Sequence, residues 1–255
     1  MPKLHFVREG SGPTIVLAHA LGCDLSMWDE VAQQLAKGFT VLRYDQRGHG
    51  ASEAVPGPFA IEDLADDAAE LIGSETEGEV HFVGLSMGGM VAQQVAVRHP
   101  ELVNSIVVAN SSSRYDETFR GMWRSRAETA LNLGMGAIAE TVMPRWFTRA
   151  WRDNPAHAAR IARLRQVVEA TDPRAYAACC EAIGAIDFRA SNPLVACPAL
   201  VIAGTQDEAT PPAMSHEICK AISGAELATL EAAHLSAVER PEEFAALVAG
   251  FISRI

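Results

Sequence analysis

Three residue types in this chain could together carry out acyl transfer: a serine held between glycines, a histidine and a carboxylate. The serine is Ser86, in the stretch Val80-His81-Phe82-Val83-Gly84-Leu85-Ser86-Met87-Gly88-Gly89. A hydroxyl is a weak nucleophile at neutral pH, so Ser86 needs a base to take its proton. That base in turn needs an acid to fix its tautomer. For a serine on a strand-to-helix turn, the acid and then the histidine follow in chain order, each just past a strand. Of the histidines after Ser86 (His99, His157, His216 and His234), only His234 stands in a loop directly after an expected strand. Asp207, shortly after the apolar run ending at Gly204, is the carboxylate in the matching place, with Glu208 as its neighbouring backup. Asn110 ends another strand but is not an acid.

The elements around Ser86 must aim it. Val80 to Val83 reads as a short buried strand, and Met90-Val91-Ala92-Gln93-Gln94-Val95-Ala96-Val97 has helical spacing. The turn between them is tight enough to force a strained serine backbone, and side chains at Gly84 or Gly88 would clash there. Such a turn lifts the hydroxyl above the sheet and points the Met87 N–H at the charge that develops on an attacked carbonyl oxygen. The same glycine pattern also occurs as an ordinary turn, and the strand and helix on either side distinguish the two. A second oxyanion donor is needed opposite, and the Leu21 N–H in His19-Ala20-Leu21-Gly22-Cys23-Asp24 is placed for it. His19 lies near that donor. It is either a substrate-side residue or a structural histidine that ties down the loop.

The remaining chain alternates. Leu4 to Arg8 and Thr14 to His19 read as strands joined by the Glu9–Pro13 turn into a hairpin at the sheet edge. Met27 to Ala36 reads as a helix, Phe39 to Tyr44 as a strand, Ile61 to Ile72 as a helix and Ser105 to Asn110 as a strand. The charged turn Asp45–Ser52 lacks phosphate-loop spacing, so bracing of neighbouring backbone is its expected role. This alternation predicts a mostly parallel sheet covered on both faces. From Arg114 to about Ala190 strand signals stop and helices near 117–133, 135–147, 155–170 and 173–186 take over. Strand and helix resume at Ala199–Gly204, at the prolines 211–212, at Glu226–Leu230 and at Pro241–Phe251. The expected organisation is an α/β core (1–112), an all-helical cap (113–190) and the rest of the core (191–255). The cap offers Trp123, Trp146, Phe147, Trp151 and Tyr176 as pocket walls, though any one of them could serve as cap core.

Composition bounds the partners. The chain has 255 residues, 49% apolar and 21% charged, as in ordinary globular enzymes. No apolar run approaches a membrane span, and no signal-peptide core is evident at the start. The five cysteines lack zinc spacing and include the adjacent pair Cys179-Cys180, which suits reduced thiols and a cytoplasmic setting. A net charge of −11 argues against nucleic acid. Residues 113–190 nonetheless carry 12 arginines against 9 acidic residues, a balance of +3, while the rest stands at −14. Solvated helix faces would explain this, and so would a cap that holds an anionic small molecule.

With these residues in hand, the chain resembles the α/β-hydrolase superfamily over essentially its whole length. Within it, the chain is most similar to the 3-oxoadipate enol-lactonases of bacterial aromatic catabolism. The resemblance rests on Leu21–Asp29, Leu42–Ser52, Gly84-Leu85-Ser86-Met87-Gly88-Gly89, Arg145-Trp146-Phe147-Thr148, Tyr176-Ala177-Ala178-Cys179-Cys180 and Ala233-His234-Leu235-Ser236. Many esterases share the loop and turn pieces, whereas the two cap pieces are more specific. These lactonases usually read Asn-Ser-Leu-Gly where this chain has His19-Ala20-Leu21-Gly22. That histidine is commoner in esterases, peroxidase-like hydrolases and carbon–carbon hydrolases, which stay open as alternatives, as does a small-molecule receptor on a hydrolase fold. The resemblance implies hydrolysis of an enol-lactone bearing a carboxylate, without metal or organic cofactor; Arg145 is the candidate cation for that carboxylate, with a surface salt bridge as the other reading of it.

Overall fold

The computed structural model describes residues 2–255. Among the described residues, seven strands make one sheet: β1 (Phe6–Gly10), β2 (Thr14–Ala18), β3 (Thr40–Tyr44), β4 (Val80–Leu85), β5 (Val103–Ala109), β6 (Ala199–Gly204) and β7 (Glu226–Leu230). They lie in the order β1-β3-β2-β4-β5-β6-β7, all parallel except β1, which runs antiparallel to β3. β4 sits at the centre with all six residues buried, as a continuous apolar run requires when both faces are covered. Helices α1 (Asp29–Leu35), α2 (Ile61–Glu75) and α3 (Met87–Arg98) link the strands up to β5.

The expected hairpin of the first two strands does not form. β3 lies between them, pairing with β1 from Phe6–Tyr44 to Gly10–Thr40 and with β2 from Thr14–Thr40 to Ala18–Tyr44. Burial explains the difference. β2 is buried from Ile15 onward and belongs inside the sheet, whereas β1 exposes Arg8 and tolerates the edge. The connecting turn follows suit. Gly10 (φ 77°) and Gly12 (φ 121°) press against the backbone of Ala36, Gly38 and Phe39, where any side chain would overlap.

Between β5 and β6 the chain forms α4 (Glu117–Leu133), α5 (Met135–Trp146), the short α6 (Arg149–Arg152), α7 (Ala158–Ala170) and α8 (Pro173–Gly184). Local chemistry starts two of them cleanly. The Asp116 carboxylate accepts the Phe119 N–H at 3.0 Å, and Asp172 accepts the Arg174 and Ala175 N–H groups at 2.8 and 2.9 Å ahead of Pro173. α4 packs against α8, and α5 against α7. Arg160 on α7 reaches the core, donating to the Ser26 and Met27 carbonyls at 2.9 and 3.1 Å. The chain then returns through β6, α9 (Pro212–Ala221), β7, α10 (Ser236–Glu239) and α11 (Pro241–Ile252). Among the described residues, no helix is long and apolar enough to cross a membrane.

Candidate active site

Ser86 lies between β4 and α3 with φ 57° and ψ −114°, a left-handed conformation that costs a non-glycine residue roughly 1–3 kcal/mol. Its neighbours enforce it. A side chain on Gly84 would overlap the Gly88 carbonyl, and one on Gly88 would overlap the Ala18 carbonyl on β2. The Ser86 N–H donates to Ala109 O at 2.9 Å, and its carbonyl accepts the Ser111 hydroxyl at 2.8 Å. The hydroxyl is thereby presented at the C-terminal edge of the parallel strands.

The loops after β6 and β7 converge on it. The Ser86 hydroxyl lies 2.9 Å from His234 Nε2, and His234 Nδ1 lies 2.9 Å from Asp207 Oδ2. With Nδ1–H donated to the carboxylate, Nε2 is free to accept the serine proton. Asp207 is 3% exposed and fully engaged. Its Oδ1 accepts the Ala209 and Thr210 N–H groups at 2.8 and 3.0 Å. Its Oδ2 also accepts the Thr210 hydroxyl at 2.7 Å and the Asn110 amide at 3.0 Å. Burial alone would raise the Asp207 pKa, but the His234 ring and these donors outweigh it and hold the carboxyl below its ordinary value. Asn110, set aside in the sequence because it is no acid, therefore acts as a donor. It also holds the Ala233 carbonyl at 3.2 Å and accepts the Ser236 hydroxyl at 2.5 Å. Glu208 makes no bond to His234; its carbonyl accepts from Arg145.

Met87 is the first residue of α3, so its N–H has no carbonyl within the helix and is one of the helix's orphan donors. Leu21 lies on the cavity wall. The turn that carries Leu21 is held from beneath by two histidines. Of the two roles open to His19, substrate-side or structural, the structure gives the structural one: the ring is fully buried and does not line the cavity. Its Nδ1–H donates to Ala20 O at 2.8 Å, and its Nε2 accepts the Gln46 N–H at 2.9 Å. Both ring nitrogens are spent on loop backbone, which is why no substrate contact is left to it. His49 repeats the device. Its Nδ1–H donates to Arg47 O at 3.1 Å and its Nε2 accepts the Gly22 N–H at 3.1 Å, fixing the residue beside Leu21. Burial pushes the His19 pKa down. Burial and the neighbouring His19 ring push His49 down to about 3, so both rings stay neutral. The Asp45–Ser52 turn also braces in other ways: Asp45 accepts the Leu25 and Ala51 N–H groups, and Arg47 pairs with Asp67 on α2.

A cavity of about 310 Å³ opens above Ser86 and His234. Its far side comes from the helices between β5 and β6, including Trp123, Arg126, Arg145, Trp146 and Tyr176. Phe147 and Trp151 do not reach it. They stack on each other at 4.4 Å, and Trp151 stacks on His157 at 4.1 Å, so that trio is packing. Arg145 is on the wall, but its Nη2 donates to Glu208 O at 2.7 Å. Arg126, which sequence reasoning missed, sits 4.9 Å over the Trp123 ring and, among the described residues, makes no ion pair. It lies three residues after Trp123 on α4, so helical spacing puts both on one face. Nothing in the sequence distinguished it from the other arginines nearby. Among the described residues, no cluster of three or more His, Cys, Asp or Glu side chains is disposed to hold a metal ion.

A sequence model of the alpha/beta hydrolase fold family matches residues 13–241. The 3-oxoadipate enol-lactonase 2 of Acinetobacter baylyi is 34% identical over 92% of this chain and 87% of its own length. Among solved structures, the enol-lactonase from Burkholderia xenovorans superposes with a TM-score of 0.94 at 40% identity, covering 99% of this chain and 97% of that one. A thermophilic esterase from Thermogutta terrifontis, solved with malate bound, gives 0.91 at 28% identity over 99% and 94% of the two chains.

Proposed function

The chain belongs to the α/β-hydrolase family, and we propose that it is a serine hydrolase that opens a small enol-lactone carrying a carboxylate, of the 3-oxoadipate enol-lactone type, through an acyl-enzyme. The observation that carries this reading is the hydrogen-bonded line Ser86–His234–Asp207 beneath a cavity whose far wall presents an arginine without an acidic partner.

In this reading, His234 Nε2 takes the Ser86 proton as Oγ attacks the lactone carbonyl. Asp207 holds the ring in the required tautomer and stabilises the imidazolium. The Leu21 and Met87 N–H groups receive the oxyanion. Collapse breaks the ring C–O bond. The departing enol oxygen takes the proton from His234, and the enol then ketonises. Water, deprotonated by His234, attacks the acyl carbonyl; the oxyanion reforms and Ser86 leaves with the proton. Arg126 receives the substrate carboxylate, in place of the more engaged Arg145, and Trp123, Trp146 and Tyr176 shape the apolar wall. Charge-assisted bonds to a carboxylate are stronger than neutral ones, which suits Arg126 to choosing among lactones.

The test is turnover of 3-oxoadipate enol-lactone beside p-nitrophenyl acetate, with wild type and Ser86→Ala. A strong kcat/KM preference for the lactone, with both activities lost in the variant, supports the reading. Cleavage of the small ester alone would leave a general carboxylesterase that uses the same three residues.

A further inference from the structure

His234 is not fixed by its ring alone. Both residues flanking it are pinned through backbone groups that no strand or helix uses. The Ala233 carbonyl accepts from Asn110, the Ala233 N–H donates to Glu239 Oε2 at 3.1 Å, and the Leu235 N–H donates to Trp146 O at 2.9 Å. Of these clamps, Glu239 is the one with a cost. It is 4% exposed and, among the described residues, has no cationic partner. A buried carboxylate is tolerated only when its oxygens are fully bonded. Here Oε2 also accepts the Thr148 N–H at 3.1 Å, and Oε1 accepts the Thr148 hydroxyl. Thr148 stands two residues past the end of α5 and caps α6, in the helical segment that forms the cavity's far wall, but it does not line the cavity.

We propose that Glu239 is a positioning residue for His234: its carboxylate joins the backbone before the base to the chain at the end of α5, so that this end of the helical segment and the base move as one body. Three donors on one carboxylate make a rigid joint, because each bond to a charged acceptor is stronger than its neutral counterpart. A second bridge, Leu235 to Trp146, runs alongside it. Displacement of Thr148 is then passed to His234 Nε2, where misplacement by a fraction of an ångström slows proton transfer from Ser86. The proposal rests on the serine-hydrolase reading above.

The experiment compares Glu239→Ala, Glu239→Gln and Thr148→Val, with Ser86→Ala alongside. Turnover of p-nitrophenyl acetate and the rate of labelling by a fluorophosphonate are both followed in folded protein. We expect Glu239→Ala to lose about thirtyfold in kcat with KM within twofold, and its labelling rate to fall in parallel. Glu239→Gln should stay within about threefold of wild type, because its amide oxygen still accepts both N–H groups and its NH₂ can donate to the Thr148 hydroxyl. A merely structural role would lower Tm but leave kcat per folded molecule unchanged. Glu239→Ala with wild-type kcat, or Glu239→Gln as impaired as Glu239→Ala, overturns the proposal. If Glu239→Ala does not fold, Thr148→Val decides. A kcat about fivefold lower at constant KM, on an ester too small to reach Thr148, supports the joint, and an unchanged kcat overturns it. Activity persisting in Ser86→Ala would instead overturn the serine-hydrolase reading itself.

Discussion

Below the cavity, the loops that follow β2, β3, β4, β5, β6 and β7 bond to one another through buried polar side chains. Above it, the helices between β5 and β6 meet the same space with aromatic surface and two arginines. Behind the lower wall, His19, His49, Asn110 and Asp207 have their donors and acceptors matched within the protein. In the upper wall, Trp123 and Arg126 are only half-buried, and Arg126 lacks an acidic partner. A matched buried network has one low-energy arrangement, since breaking any bond strands a polar group away from water. An aromatic wall with a loosely engaged cation can change its contents at little cost. Under the proposed function, reaction chemistry falls to the lower wall and substrate choice to the upper.

Substitutions in the two walls should therefore part company. The largest effect is expected from His234→Ala, which should lower kcat by about ten-thousand-fold on lactone and small ester alike while circular dichroism stays native. A loss confined to one substrate would blur the distinction between the walls. Next, Arg126→Met should raise KM for a carboxylate-bearing lactone about thirtyfold and change p-nitrophenyl acetate turnover less than threefold. Arg145→Met, the control, should change either substrate by less than about threefold, because its guanidinium already serves Glu208. If the two arginines exchange those effects, Arg145 is the anion site after all.

The smallest effect concerns stability and sharpens the account of the lower wall. His49 is neutral in the folded chain because burial, aided by the His19 ring, depresses its pKa to about 3, while in the unfolded chain it titrates near 6.5. Between those values the unfolded state binds more protons, so stability falls as pH falls below about 6.5. At pH 5 this one ring should cost about 2 kcal/mol. Thermal melts of wild type and His49→Gln from pH 7.5 to 5 should show a shallower decline in the variant. Parallel curves would mean that His49 is not the titrating group.

The two walls also differ in how far they could be read before folding. Ser86, Asp207 and His234 were legible because each follows an apolar strand run, and a parallel sheet brings such ends to one edge whatever else the chain does. The helices expected near 117–133 and 173–186 were legible from their helical stretches, and they form at Glu117–Leu133 and Pro173–Gly184. Position within the sheet was not. β1 and β2 are neighbours in the chain, but burial sends one to the edge and the other inside, with β3 between them.

Local sequence thus determined which segments are strands and helices, which turn must strain at Ser86, and which histidine and carboxylate lie on the same edge. These follow from apolar period, glycine placement and chain order, all of them short-range properties. Tertiary structure alone decided that His19 would be spent on Gln46 and Ala20, that Asn110 would support Asp207, that Arg145 would donate to the Glu208 carbonyl while Arg126 faces the cavity over Trp123, and that Glu239 would meet Thr148. Those outcomes depend on which polar groups far apart in the chain come together once water is excluded. A buried donor or acceptor takes whatever partner the packing brings within reach, and that partner is not written in its neighbours.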